Sequence, residues 1–378
     1  MQKQPTRQPK PKQPQPPRGS HAEAIANKNA AQLEQLLTEL PGCCRDFLNS
    51  IADTVTLRTR LAYAYDLRVF FRYLSDNIYE FQGHDIRGIM AEQLDKISTR
   101  DFERYQQYLT RYKPPAADPT VEPGSPTAYR SYRDNSAPGK MRKMSSLRSF
   151  FQYLFTHQYI SSNRTSMIQL PKLREKPIVH LEPDEAARLL DLTETGEALT
   201  AHQQAYHEAL GKRDVAMMTL MLGTGIRVSE CVGINMGDVN FDENAFRVTR
   251  KGGDQAILYF SDEVADALKA YMKEREQVVT LPGHEDALFL SLQRRRITAR
   301  AVENLVSKYA KTAAPLKRIT PHKLRSTYGT TLYKESGDIY LVADVLGHAD
   351  VNTTRKHYAA MNDERRRKAS TLVKLRED

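Results

Sequence analysis

The chain of 378 residues carries 56 Lys and Arg against 46 Asp and Glu, a formal net charge of +10. That length is too great for one compact core and predicts two domains with appendages, and the basic balance favours a polyanionic partner. The three cysteines, Cys43, Cys44 and Cys231, offer no C-x-x-C spacing, which excludes zinc binding through that motif and points to a reduced, intracellular protein.

Residues 1–21 are dominated by Pro, Gln, Lys and Arg, bury too little apolar surface to offset their ordering entropy, and predict a flexible basic tail. The tail has no apolar core and so does not read as a secretory signal. Residues 22–170 read as an all-helical domain of four or five helices. Leu57, Leu61, Tyr65, Leu67 and Phe71 recur near helical spacing with arginines between them. A second helix is predicted with Thr99 as its N-cap, carrying Phe102, Tyr105 and Leu109. Residues 113–139 are rich in Pro, Asp and Ser and predict a long loop. A third helix follows, with Met144, Leu147, Phe151 and Leu154 on one face and Lys140, Arg142, Lys143 and Arg148 elsewhere. Interleaving of this kind reads first as core plus solvated face, and second as a surface for DNA.

Residues 171–181, with Pro171, Pro177 and alternating charge, read as an extended linker. A second domain, 182–378, opens with a helix entered at Glu182-Pro183, proline suiting the first turn. The polar stretch 193–212 precedes a helix over 214–222 that is apolar all round and is therefore predicted to be buried. Its run 215–222 is the longest apolar one in the chain and far too short to cross a bilayer, so a cytoplasmic location without a membrane partner is expected.

The chemistry-bearing residues come next. Gly223-Thr224-Gly225 predicts a sharp turn with Thr224 capping the following helix, which puts Arg227 in its first turn. Alone, Arg227 reads as the surface partner of Glu230. Strands are predicted over 246–250 and 255–260, joined by a hairpin turn with Lys251 at the tip. Thr320 and Pro321 mark a helix start that brings His322 and Arg325 onto one face, at the positive end of the helix dipole where a phosphate is favoured. A helix over 341–346 ends at Gly347, directly before His348. A further short helix, opened by Asp350 or Asn352, carries Tyr358. Each piece alone has an ordinary structural explanation. Together they supply five groups that are cationic or can become so, able to hold a phosphodiester, and one phenol able to attack it.

In order and spacing, GTGIRVSE at 223–230, the lysine at 251, TPHKLRST at 320–327, LGH at 346–348 and Tyr358 resemble the tyrosine recombinase (phage integrase) family, particularly its two-domain Xer-like branch. The likeness spans 182–358, and the helical first half is similar to the family's core-binding domain. The implied fold is mainly α with a small β-sheet (α+β): a helical, SAM-like core-binding domain and a catalytic domain forming a clamp around DNA. The implied activity is site-specific recombination. Strands are cleaved and rejoined through a 3′-phosphotyrosine and exchanged via a Holliday junction, in integration, excision or chromosome dimer resolution.

By the same resemblance, Arg227 and Arg325 hold the nonbridging oxygens of the scissile phosphate and His348 adds a hydrogen bond. Tyr358 is the nucleophile, His322 accepts its proton or polarises the phosphate, and Lys251 protonates the departing 5′-oxygen. The covalent bond conserves the phosphodiester's energy and the cations supply the charge stabilisation, so no ATP, metal or other cofactor is implied. The implied partners are double-stranded DNA with inverted half-sites and further subunits, in a homotetramer or a heterotetramer with a paralogue.

The interval from His348 to Tyr358 is one residue longer than the commonest family pattern, which makes Tyr328, Tyr333 and Tyr340 the fallback nucleophiles. After Tyr358, Leu372, Val373 and Leu375 predict a helix that docks on a neighbouring subunit. The rival readings are a type IB topoisomerase-like enzyme, a non-catalytic DNA-binding regulator, and a metal-dependent transposase or nuclease. The last would need clustered carboxylates, which the site motifs lack.

Overall fold

A computed structural model describes residues 21–112, 133–172, 178–197, 199–250, 254–347 and 351. The chain divides into two compact units, Met1–Glu175 and Lys176–Asp378. Among the described residues no helix is long and apolar enough to cross a membrane.

The first unit is built from α1 (His21–Leu37), α2 (Gly42–Ser50), α3 (Leu57–Asn77), α4 (Thr99–Tyr108) and α5 (Ala137–Thr156). Helix α3 packs against α1, α2 and α5 through a stripe of Leu61, Ala64, Leu67, Phe70, Phe71 and Leu74, all buried at helical spacing. Tyr65 was expected on that stripe but falls one residue round the helix from Ala64. It is exposed, with the Arg68 guanidinium 5.2 Å above its ring. Met144, Leu147, Phe151 and Leu154 on α5 are buried as their spacing predicts. Phe70 and Phe102 each meet the Phe151 ring edge-on, at 5.9 and 4.9 Å, contacts worth about 1 kcal/mol apiece beyond area burial.

Two boundaries differ from the sequence reading. Helix α4 is capped by Ser98 rather than Thr99, because the Ser98 N–H and hydroxyl both donate to the Asp101 carboxylate, at 3.0 and 2.6 Å. The expected loop over 113–139 is shorter at its far end. Strand β1 (Arg111–Tyr112) pairs antiparallel with β2 (Arg133–Asp134), and α5 already starts at Ala137. Pro138, which reads as a breaker, sits in the first turn of α5, where its missing N–H costs nothing.

Much of the basic decoration here is internally engaged. The Arg142 guanidinium forks onto both oxygens of buried Asp66, which also accepts from the Ser146 hydroxyl at 3.2 Å. Burial pushes the Asp66 carboxyl up, and Arg142 and Lys143 pull it back toward the charged form. Arg68 and Arg72 both pair with Glu39, at 3.0 and 3.5 Å, and Arg148 donates to the carbonyls of Thr165 and Ile168.

The second unit follows with α6 (Pro183–Thr195), α7 (Ala201–Thr224), α8 (Val228–Gly233), β3 (Val239–Asn240), β4 (Ala245–Thr249), β5 (Gln255–Tyr259), α9 (Asp262–Arg275), α10 (Ala299–Ala313), α11 (Pro321–Ser336) and α12 (Ile339–Leu346). Helix α7 is the axis, packed by α6, α9 and α11. Its buried half, with Ala216, Met217, Met218, Leu220 and Met221 all fully enclosed, matches the apolar run. The helix nevertheless begins at Ala201, well before 214. A capping box starts it, in which the Gln203 N–H reaches the Thr200 hydroxyl and the Thr200 N–H reaches Gln203 Oε1 at 3.0 Å. From residue 201 on, the polar stretch is thus the solvated first half of one helix, while 193–195 close α6.

The sheet is antiparallel in the order β3-β4-β5, with Phe246 opposite Leu258 and Thr249 opposite Gln255. The two-residue strand β3 was not foreseen. Phe246, Val248 and Leu258 turn into the core, while Arg247, Ile257 and Tyr259 face out. The Arg250 N–H then donates to the Asp254 carbonyl at 2.7 Å, one step beyond the register.

Candidate active site

Four elements meet at the carbonyl end of α12. The first contribution comes from the α7–α8 turn. The Thr224 hydroxyl donates back to the Leu220 carbonyl at 2.7 Å, so Thr224 closes α7 and does not cap α8, contrary to expectation. Gly225 then takes the left-handed conformation at φ +62°, where a Cβ would stand 2.5 Å from Tyr328 Cδ1 and 3.0 Å from Leu346 Cδ2. Only a glycine fits that turn without strain.

Arg227 is itself the N-cap of α8. Its N–H donates to Glu230 Oε2 at 3.0 Å and its Nη1 to Glu230 Oε1 at 2.8 Å. The pairing with Glu230 therefore exists, but not at the surface. The Glu230 side chain is 4% exposed and that of Arg227 33%. The buried carboxylate spends both oxygens on one arginine, which leaves the guanidinium oriented and partly open to solvent. Arg227 Nη2 donates onward to the Gly347 carbonyl at 2.9 Å.

Arg325 arrives from the first turns of α11, whose start at Thr320-Pro321 is as the sequence predicts. Its buried guanidinium donates through Nη1 to the Gly225 carbonyl at 2.6 Å and through Nη2 to the Leu346 carbonyl. A third arginine comes from the end of β4. Arg250 Nη2 donates to the Val345 carbonyl at 3.4 Å, and its guanidinium lies against Gly347.

Three guanidinia thus address three consecutive carbonyls, Val345, Leu346 and Gly347. These belong to the last-turn acceptors that a helix cannot satisfy internally, and they carry the negative end of its dipole. The same geometry explains how three like charges gather in one place: each has a preformed carbonyl acceptor at the negative end of a helix dipole.

Gly347 caps α12 at φ +59°, and a Cβ there would fall 2.2 Å from Arg250 Nη1. Gly347→Ala is expected to cost about 1–2 kcal/mol from the left-handed backbone alone, with an added penalty for displacing Arg250. Urea melts of Gly347→Ala in the wild-type and Arg250→Ala backgrounds measure that addition. The cost should be smaller without Arg250, and equal costs would refute the contact.

His322 is exposed on the first turn of α11, one turn ahead of buried Arg325, so the two lie close along the helix yet differ in environment. Lys251, His348 and Tyr358 lie outside the described residues, as do the tail 1–20, the short helix carrying Tyr358 and the expected C-terminal docking helix. Of the fallback tyrosines, Tyr328 is half-buried against Gly225 and burial pushes its phenol up. Tyr333 is buried. Tyr340 is exposed, but sits in the first turn of α12, at the end away from the arginines. The cysteine thiols suit packing rather than nucleophilic chemistry: burial, with Glu230 nearby, pushes Cys231 up to about 12, and Cys44 is raised well above its ordinary range.

Comparison with known proteins bears on the same region. Residues 180–365 match the phage integrase family. The tyrosine recombinase XerC of Caldanaerobacter subterraneus subsp. tengcongensis is 32% identical over 360 residues, 91% of this chain and 90% of that protein. The chain belongs to the phage integrase family of tyrosine recombinases. XerD of Oceanobacillus iheyensis is 33% identical over 276 residues, covering 71% of this chain and 88% of its own. The crystal structure of XerH site-specific recombinase bound to difH substrate, a pre-cleavage complex, has a similar fold. Its TM-score is 0.58 at 19% identity, over 85% of this chain and 80% of that one.

As a tyrosine recombinase, the protein is an enzyme of site-specific recombination that cleaves and rejoins DNA strands. Its mainly helical fold with one small three-stranded sheet in the second unit is the one the motifs implied. Two contributors were missed in the recombinase sequence. Glu230 was read only as a surface partner, and Arg250 passed as the last residue of a strand. The signal for Glu230 was its i,i+3 spacing from Arg227 at a helix start, the spacing of a capping box.

Proposed function

We propose that Arg227, Lys251, His322, Arg325, His348 and Tyr358 form the catalytic set, held in a catalytic domain that begins near residue 182. In this reading the helical domain 22–170 is the core-binding half of a clamp around DNA. The observation that carries the proposal is the meeting of Arg227 and Arg325 on the adjacent carbonyls of Gly347 and Leu346, directly before His348. Residues far apart in sequence converge where the motifs require a phosphate clamp.

The Tyr358 phenol oxygen attacks the scissile phosphorus and its proton passes to His322 or solvent. The P–O5′ bond breaks, and Lys251 donates the proton that the leaving oxygen needs. Arg227 and Arg325 stabilise the pentacoordinate phosphate with fork-shaped donors already fixed in place. The product is a 3′-phosphotyrosine and a free 5′-hydroxyl. Attack by the 5′-hydroxyl of a partner strand reverses the chemistry and gives exchange through a Holliday junction.

The partners in this reading are inverted half-sites on two duplexes and four subunits, identical or with a paralogue, in the cytoplasm. The test is to incubate the protein, in EDTA, with a library of nicked duplexes of randomised core sequence. Covalently bound DNA is sequenced, and the linked peptide is mapped by mass spectrometry. Adducts on Tyr358 are expected. Adducts on Tyr328, Tyr333 or Tyr340 would move the nucleophile, and a complete loss of adducts in EDTA would overturn metal-free cleavage.

A further inference from the structure

Arg250 occupies a place that neither the strand pattern nor the proposed catalytic set explains. At the last register pair, Thr249 and Gln255, both side chains are exposed. The backbone bond from Arg250 N–H to the Asp254 carbonyl keeps the two arms together but ties them to nothing else. The Arg250 side chain is what reaches across. It donates to the Val345 carbonyl, 95 residues away in sequence, and fills the space that a side chain at Gly347 would take. The residue after Arg250 is Lys251 and the residue after Gly347 is His348. Consecutive Cα atoms are about 3.8 Å apart, so this contact anchors the hairpin at the position next to Lys251 in the chain.

We infer that Arg250 is a positioning residue for strand cleavage, docking the β4–β5 hairpin on the carbonyl end of α12 so that Lys251 can deliver its proton to the 5′-oxygen. This rests on the general-acid reading of Lys251 and extends it to a residue that itself touches no reacting atom. An arginine suits the task because its planar, permanently charged guanidinium lies flat along the glycine and bonds a carbonyl at the negative end of a helix. A lysine ammonium, a compact charge without that plane, would not fill the same space.

The test compares two versions of one nicked duplex taken from the trapping experiment, one with the ordinary 5′-oxygen at the scissile position and one with sulfur there. With oxygen, the P–O5′ bond breaks with proton delivery. With sulfur, the P–S bond breaks and a thiolate leaves without a proton. Arg250→Ala should slow single-turnover cleavage of the oxygen duplex by up to about a hundredfold, the scale expected when a catalytic group is displaced by about an ångström. On the sulfur duplex the same variant should cleave within about threefold of wild type, in parallel with Lys251→Ala, whose deficit on oxygen is expected at about a hundredfold or more. Because one preparation cleaves both duplexes, any loss of folded protein cancels in the ratio. An equal Arg250→Ala deficit on both duplexes, with Lys251→Ala rescued, would overturn the inference alone. A Lys251→Ala variant that sulfur does not rescue would overturn the general-acid reading and the inference with it.

Discussion

Tyr358→Phe is expected to retain DNA binding and to lose covalent adduct formation altogether. The substitution removes one oxygen and keeps the ring and the chain's charge, so only the proposed nucleophile is lost. Among the described residues neither Tyr328 nor Cys231 is suited to replace it. Tyr328 is half-buried with a raised phenol, and the Cys231 thiol is pushed up to about 12, far above the range in which a thiolate forms at neutral pH. The measurement is a mobility shift beside a denaturing gel on the same trapped duplex. A variant that shifts the duplex yet yields no denaturant-resistant complex satisfies the expectation. A Phe variant that still forms the adduct would assign the nucleophile elsewhere.

The second large effect is expected at Arg325. Its guanidinium is buried and bridges the Gly225 and Leu346 carbonyls, so it is a strut as well as the phosphate donor of the proposed catalytic set. Arg325→Ala would orphan two carbonyls, each costing about 1–3 kcal/mol if left without a partner, and its activity loss would be hard to apportion. Arg325→Lys separates the roles, since the ammonium keeps the charge and can satisfy an acceptor but cannot fork onto phosphate. Single-turnover cleavage by Arg325→Lys is expected to fall by about a hundred- to a thousandfold, with a melting midpoint much closer to wild type than that of Arg325→Ala. Cleavage by the Lys variant within tenfold of wild type would show that charge alone is what position 325 supplies.

Local chemistry made some of this architecture legible in advance. Thr320-Pro321 and Gly347 announce helix ends by their own conformational limits, and the structure places both where the sequence does. The alternation of 246–250 and 255–260 shows the hairpin, because one face is buried against the core and one is not. What the sequence hid depends on distant partners. Tyr65 has core-like spacing, yet the α1, α2 and α5 neighbours of α3 leave it outside. The start of α7 was obscured because the first half of that helix is solvated and has no apolar stripe to advertise it. Thr224 could have capped either neighbouring helix, and only the folded turn decides for α7. The resemblance already paired Arg227 with Arg325, but the anchoring of these two and of Arg250 is invisible in one dimension because their acceptors are main-chain atoms, which have no letter in a sequence.

That choice of acceptor has an evolutionary corollary. The atoms that receive the arginines at Val345, Leu346 and Gly347 survive any side-chain replacement in α12, so the exposed face of the helix can drift in composition without disturbing these contacts. A change in length is another matter. Adding or removing one residue within Ile339–Leu346 turns the terminal carbonyls by about 100° and shifts them by about 1.5 Å, enough to break all three contacts together. Substitutions should therefore be tolerated at the exposed positions of α12, Tyr340, Leu341 and Asp344, and insertions or deletions hardly at all.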